Sequence, residues 1–117
     1  MDAAVPGDAV IATGHQTVSW VAALPESCGA KIYFLQGDER VLDAAAGETW
    51  AAPMARIAVS TWLAETVAAA GYPVSGTVPN AVDPIDFSLD MPLHGRAPRV
   101  VALYHRHPVK SPETLVA

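Results

Sequence analysis

The chain has 117 residues, 51% of them hydrophobic and 16% charged, which is the size of one domain with enough apolar material for a core, and this excludes a disordered chain. Its net charge of -5 and its seven scattered Lys and Arg residues argue against a nucleic-acid or anionic-membrane surface. Cys28 is the sole cysteine, so no intrachain disulfide or multi-cysteine metal site can form; no apolar run reaches the roughly 18 residues of a membrane span, and Met1-Asp2 is no signal-peptide start.

Ala9 to Thr13 reads as a short apolar strand ending at Gly14-His15, after which Val18, Val21 and Ala22 recur at helical spacing until Pro25. Lys31 to Leu35 is β-branched and aromatic, a second strand. Asp38 is placed to cap a helix carrying Val41, Leu42 and Ala45, with Gly47 closing it. Arg56 to Val59 is a third strand, and Ser60 caps a helix with Leu63, Val67 and Ala70 on one face, closed by Gly71 and Pro73. Ser75 to Val78 is a fourth strand. It runs into Val78-Pro79-Asn80-Ala81-Val82-Asp83, where the prolines deny both helix and central strand and Asn80 tolerates a left-handed backbone. Residues 83–99, with Pro84, Pro92 and Pro98, read as a linker. Val100 to Tyr104 reads as a fifth strand, followed by a polar loop and a helix start at Ser111-Pro112-Glu113 that has only a few residues to run, as in a piece of a longer protein.

Strands alternating with helices imply parallel pairing and right-handed crossovers, hence an α/β fold with a Rossmann-like, mainly parallel three-layer sheet and flanking helices. Such sheets bind ligands beyond the carboxyl ends of their strands. Those ends carry His15, Asp38 and Glu39, Ser60, Asn80 and the loop from His105 to Lys110. His15 either donates to a sugar hydroxyl or anion or caps its helix; Glu39 is either a general base or a first-turn acid that favours the helix dipole. His105 and His107 lack the further ligands of a metal site, and Asp83, Asp86 and Asp90 read as turn formers. Trp20, Trp50 and Trp62 are sugar-stacking platforms or core residues. There is no G-x-G-x-x-G fingerprint and no G-x-S-x-G elbow.

Four stretches, in order, carry a family resemblance. Tyr33-Phe34-Leu35-Gln36-Gly37-Asp38-Glu39 resembles the Y-F-x-Q-D-x-E segment of a rhamnosyltransferase-like branch of the family-4 glycosyltransferases. Ile57 to Leu63 resembles that family's strand-serine-helix step, Val78 to Asp83 its P-N-G-V-D junction with Ala81 in place of the glycine, and Leu103 to Ala117 the opening of its sugar-nucleotide domain. The resemblance implies a two-domain GT-B enzyme that transfers a sugar from a nucleotide-diphosphate donor to a sugar or glycolipid acceptor in the cytoplasm, without a cofactor. Residues 1–82 would then be the back of the acceptor domain, 83–99 the interdomain linker and 100–117 the start of the donor domain. It implies that Lys110 faces the donor diphosphate. His105 occupies the family's arginine position and Arg106 follows one step late, while His15, Glu39 and Asn80 line the cleft. The competing reading is a non-catalytic α/β module that binds or associates, with Val100 to Tyr104 pairing either with its own sheet or with a second copy in a homodimer.

Overall fold

The computed structural model describes residues 5–88 and 92–101 and divides the chain into two units, residues 1–81 and 82–117. The first unit is a wholly parallel four-stranded sheet, β1 (Ala9–Ala12), β2 (Ala30–Leu35), β3 (Ala55–Ala58) and β4 (Gly76–Thr77), in the order β1-β2-β3-β4. Helix α1 (His15–Ala22) joins β1 to β2, and α2 (Thr61–Ala69) joins β3 to β4. The Rossmann-like α/β expectation therefore holds, each of the four strands lying within a residue or two of where the sequence places it.

Periodicity explains which side chains are inside. Along each strand alternate residues share a face, and the register puts Ala12 beside Tyr33 and Leu35 beside Ala58. These four are buried with Val18 and Val21 of α1, Leu63 and Val67 of α2, and Trp50 and Met54 of the β2–β3 connection. Ala70, expected on the inner face of α2, is instead its exposed last cap, and Ala64 packs against the core in its place. Ser60 Oγ accepts from Leu63 N at 3.2 Å, and Gly71 leaves the helix at φ 92°, a conformation that favours glycine. Gly29 is under a harder constraint: at φ 79° a Cβ there would sit 2.2 Å from the Asp8 carbonyl carbon.

The expected helix capped by Asp38 is not α-helical. Two 3-10 stretches, Glu39–Val41 and Ala44–Ala51, replace it, and Gly47 lies inside the second rather than at its end. Asp38 and Asp43 each accept from the backbone two residues on, so a second cap interrupts the segment where a helix would have continued. Val41 and Leu42, read as an inner face, are 73% and 56% exposed.

Because each strand lies beside its predecessor in one direction, right-handed crossovers must all fall on one side of the sheet. The core bears this out: α1, α2 and the connector pack on the face of Tyr33 and Leu35. The second helical layer of a three-layer arrangement is not among the described residues. Ile11, Ile32, Phe34 and Ile57 occupy the opposite face and take no part in the core cluster.

In the second unit the Asp83 carboxylate accepts from Ile85 N at 2.8 Å and its carbonyl from Phe87 N at 3.0 Å, the turn-forming role expected of it. A 3-10 turn follows at Leu93–Gly95. Val100 and Val101, the start of the expected fifth strand, belong to no strand and are 99% and 92% exposed; the rest of that strand lies outside the described residues. Among the described residues no strand pairs with Val100 or Val101.

The two faces of β2 should respond differently to truncation. Leu35→Ala is expected to cost about 2 to 5 kcal/mol, because it opens a cavity between layers, and Phe34→Ala clearly less, as measured by urea unfolding. Equal losses would mean that the open face is packed after all.

Candidate functional site

The carboxyl edge of the sheet gathers the polar side chains that the core excludes. Helix α1 starts there without a cap of its own, since Gly14 has no side chain and the first turn holds no acid. The Thr17 hydroxyl closes the turn locally, donating to Gly14 O at 2.7 Å. The first helical N–H, that of His15, donates to Glu39 Oε2 at 2.8 Å, across 24 residues of sequence. A carboxylate at a helix N-terminus meets both an unpaired N–H and the positive end of the dipole.

Glu39 is held from two more directions. Below it, the Tyr33 hydroxyl donates to the same Oε2 at 3.3 Å, with Thr49 Oγ1 3.4 Å from the phenol oxygen. Before it, Asp38 fixes the turn: its carboxylate accepts from Arg40 N at 3.2 Å and takes the Arg40 guanidinium in a fork, at 2.8 Å from Nε and 2.6 Å from Nη2. Those bonds hold the Asp38 carboxyl below its ordinary value in spite of partial burial. The guanidinium also lies 4.5 Å from the centre of the buried Trp50 ring.

The His15 imidazole sits between two carboxylates, Nδ1 at 3.3 Å from Glu39 Oε2 and Nε2 at 3.4 Å from Asp43 Oδ2. Its Nδ1 is buried and out of line for a hydrogen bond, so the contact with Glu39 is one of proximity. Glu39 Oε2 thus serves two donors, and Glu39 Oε1 has no hydrogen bond among the described residues. That oxygen can accept from a hydroxyl on a ligand. No group of three His, Cys, Asp or Glu that could hold a metal occurs among the described residues.

The structure therefore brings together two of the six residues expected at a cleft or donor site, His15 and Glu39. Asn80 is exposed beyond β4, two strands from β2 and so roughly 10 Å across the sheet, and has no part in this cluster. His105, Arg106 and Lys110 lie outside the described residues. Tyr33, Asp43 and Thr49 are members that sequence reasoning passed over. Tyr33 carried a usable signal, because alternation puts it on the face of Leu35, and a buried phenol needs a partner for its hydroxyl. Among the three tryptophans, Trp50 is core, whereas Trp20 and Trp62 are 72% and 61% exposed.

Comparison with protein-family models, with curated proteins and with solved structures gave no significant match.

Removing the shared acceptor should be felt in stability. Glu39→Ala is expected to destabilise the fold by about 1 to 3 kcal/mol and Glu39→Gln by less, since the amide keeps an acceptor for the His15 N–H. Burial, with the charge and hydrogen bond of Glu39 adding to it and the Thr49 hydrogen bond opposing, raises Tyr33 above 10.0. The unfolded chain then ionises first, so this contribution is whole below pH 10 and lost as pH rises through the folded value. Alkaline unfolding of Tyr33→Phe should lack that component.

Proposed function

We propose that the His15–Glu39 edge is the acceptor side of a GT-B glycosyltransferase that transfers a sugar from a nucleotide diphosphate to a sugar or glycolipid hydroxyl, in the cytoplasm where such donors are made. The observation that carries this reading is the Glu39 carboxylate, anchored through Oε2 and left with Oε1 available at the ligand-binding end of a parallel sheet. In the reaction, Glu39 Oε1 accepts the hydrogen bond of the acceptor hydroxyl and takes its proton. The new bond forms between the deprotonated oxygen of the acceptor and the anomeric carbon as the bond from that carbon to the diphosphate breaks, and the nucleoside diphosphate leaves. His15 and Tyr33 fix the carboxylate. Lys110, with Arg106 and His105, supplies cationic and polar contacts to the leaving diphosphate.

Residues 1–117 alone are expected to turn over no nucleotide sugar, because that chemistry needs a donor domain facing this edge. They are expected to bind simple pyranosides weakly. Amide shifts at Gly14, His15 and Glu39 on titration with methyl mannopyranoside, reduced in Glu39→Gln, would agree with the reading. Shifts confined to other surfaces would refute it, whereas turnover by the chain itself would overturn only the expectation that residues 1–117 are inactive alone.

A second reading, a non-catalytic association module, draws on a different surface. The row Ile11, Ile32, Phe34 and Ile57 carries no charge and lies opposite the helical layer. Parallel sheets usually bury both faces. Self-association through this row predicts concentration-dependent light scattering that Phe34→Glu abolishes. A chain that stays monomeric throughout sinks it.

A further inference from the structure

We propose that the connector from β2 to β3 is a two-state device, which swings Glu39 off the start of α1 when its two 3-10 stretches merge into one α-helix over residues 39–51. The device is independent of what the edge binds. The other two crossovers of the sheet use an α-helix, α1 or α2, whereas this one runs eight residues of 3-10 helix from Ala44 to Ala51, longer than such helices usually run. The dihedrals of the two helix types lie close together. Of the two residues between the stretches, Leu42 is helical at φ -105° and ψ -40°, and Asp43 is extended at φ -144° and ψ 111°. A hydrogen bond of α-helical span is already present, Asp43 N donating to Glu39 O at 3.0 Å. The side chains suit the merged helix as well. Leu42, Ala46 and Trp50 are four residues apart and so share one α-helical face, yet only Ala46 and Trp50 are buried, with Leu42 56% exposed. Turning Asp43 helical must move one flank, and the core decides which. Ala46 and Trp50 anchor the second stretch, whereas the first buries none of its residues. The first stretch therefore swings about Gln36-Gly37, where a Cβ on Gly37 would meet nothing, and takes Glu39 from the His15 N–H. Holding the closed state are that bond, the Asp43 carboxylate on Ala45 N and the Arg40 guanidinium over Trp50.

Two sets of substitutions should drive the equilibrium in opposite directions. Ala44→Pro suits the closed state alone, since proline is accepted at the first position of a helix and favours an extended residue before it, as Asp43 is, but breaks a helix interior. Asp43→Ala with Gly47→Ala favours the open state: the first removes the acceptor of Ala45 N, and the second adds helix propensity and a Cβ 3.1 Å from Arg40 Cδ in the closed form. The measurements are relaxation dispersion, NOE patterns and amide hydrogen exchange on the isotope-labelled chain. The wild-type chain should show microsecond-to-millisecond exchange at Glu39, Leu42, Asp43 and the His15 N–H, and Ala44→Pro should abolish it. The double variant should gain α-helical NOEs between residues four apart across Asp43. Its His15 N–H should exchange with solvent about tenfold faster than in the wild type, through loss of the Glu39 hydrogen bond. A wild-type chain without dispersion in the connector overturns the device, whether or not the double variant folds. So does a double variant that is helical through Asp43 but keeps the wild-type exchange rate at His15, because Glu39 then stays in place.

Discussion

Glu39 at the start of α1 is the contact on which the carboxyl edge depends. A helix that opens on Gly14, with no acid in its first turn, leaves its leading N–H groups to find a partner elsewhere. The partner comes from the end of the neighbouring strand, and the same oxygen takes the Tyr33 hydroxyl from the sheet below. One carboxylate thereby ties α1, β2 and the connector together. It also decides what the edge can bind. A helix N-terminus attracts phosphates, but here the protein's own carboxylate holds that place, so a donor diphosphate would have to displace it. A neutral hydroxyl meets no such competition, which is why the acceptor role suits this edge.

The connector after Glu39 shows how local chemistry overrides apolar spacing. Val41, Leu42 and Ala45 lie at helical intervals, yet the segment forms two 3-10 stretches separated at Asp43. Asp38 and Asp43 each offer the backbone an acceptor two residues on, which favours a turn over a continuing helix. Gly47, which spacing assigns to a helix end, has another use: a Cβ there would come within 3.1 Å of Arg40 Cδ. The close approach lets Arg40 lie over Trp50 while it grips Asp38.

The strands were legible because β-branched and aromatic runs between Gly, Pro and Ser leave few alternatives, and α1 and α2 because their buried residues recur at helical spacing. His15 and Glu39 were legible as strand-end residues, since the carboxyl edge of a parallel sheet follows from topology alone. Their mutual contact was not. It depends on how the Gln36-Gly37 turn redirects the chain, and such a turn is set by tertiary contacts rather than by the two residues themselves. Asp43 and Thr49 enter the cluster through the 3-10 geometry, so mistaking that segment for an α-helix concealed them. Asn80 stands past a strand end as expected, two strands from β2, a separation that only the strand order reveals.

That strand order has one further consequence. A sheet that winds back on itself places helices on both faces, whereas one that advances steadily in one direction places them all on one. Here the advance is unbroken from β1 to β4, so Tyr33 and Leu35 are covered and Ile32 and Phe34 are not drawn into the core. The site lies at the carboxyl edge, beside the covered face, where its residues come from α1, β2 and the connector. The apolar row on the other side uses none of them. A ligand at Glu39 and association through the row are therefore physically separable: a molecule whose open face is covered by a further layer keeps Glu39 Oε1 available at the edge.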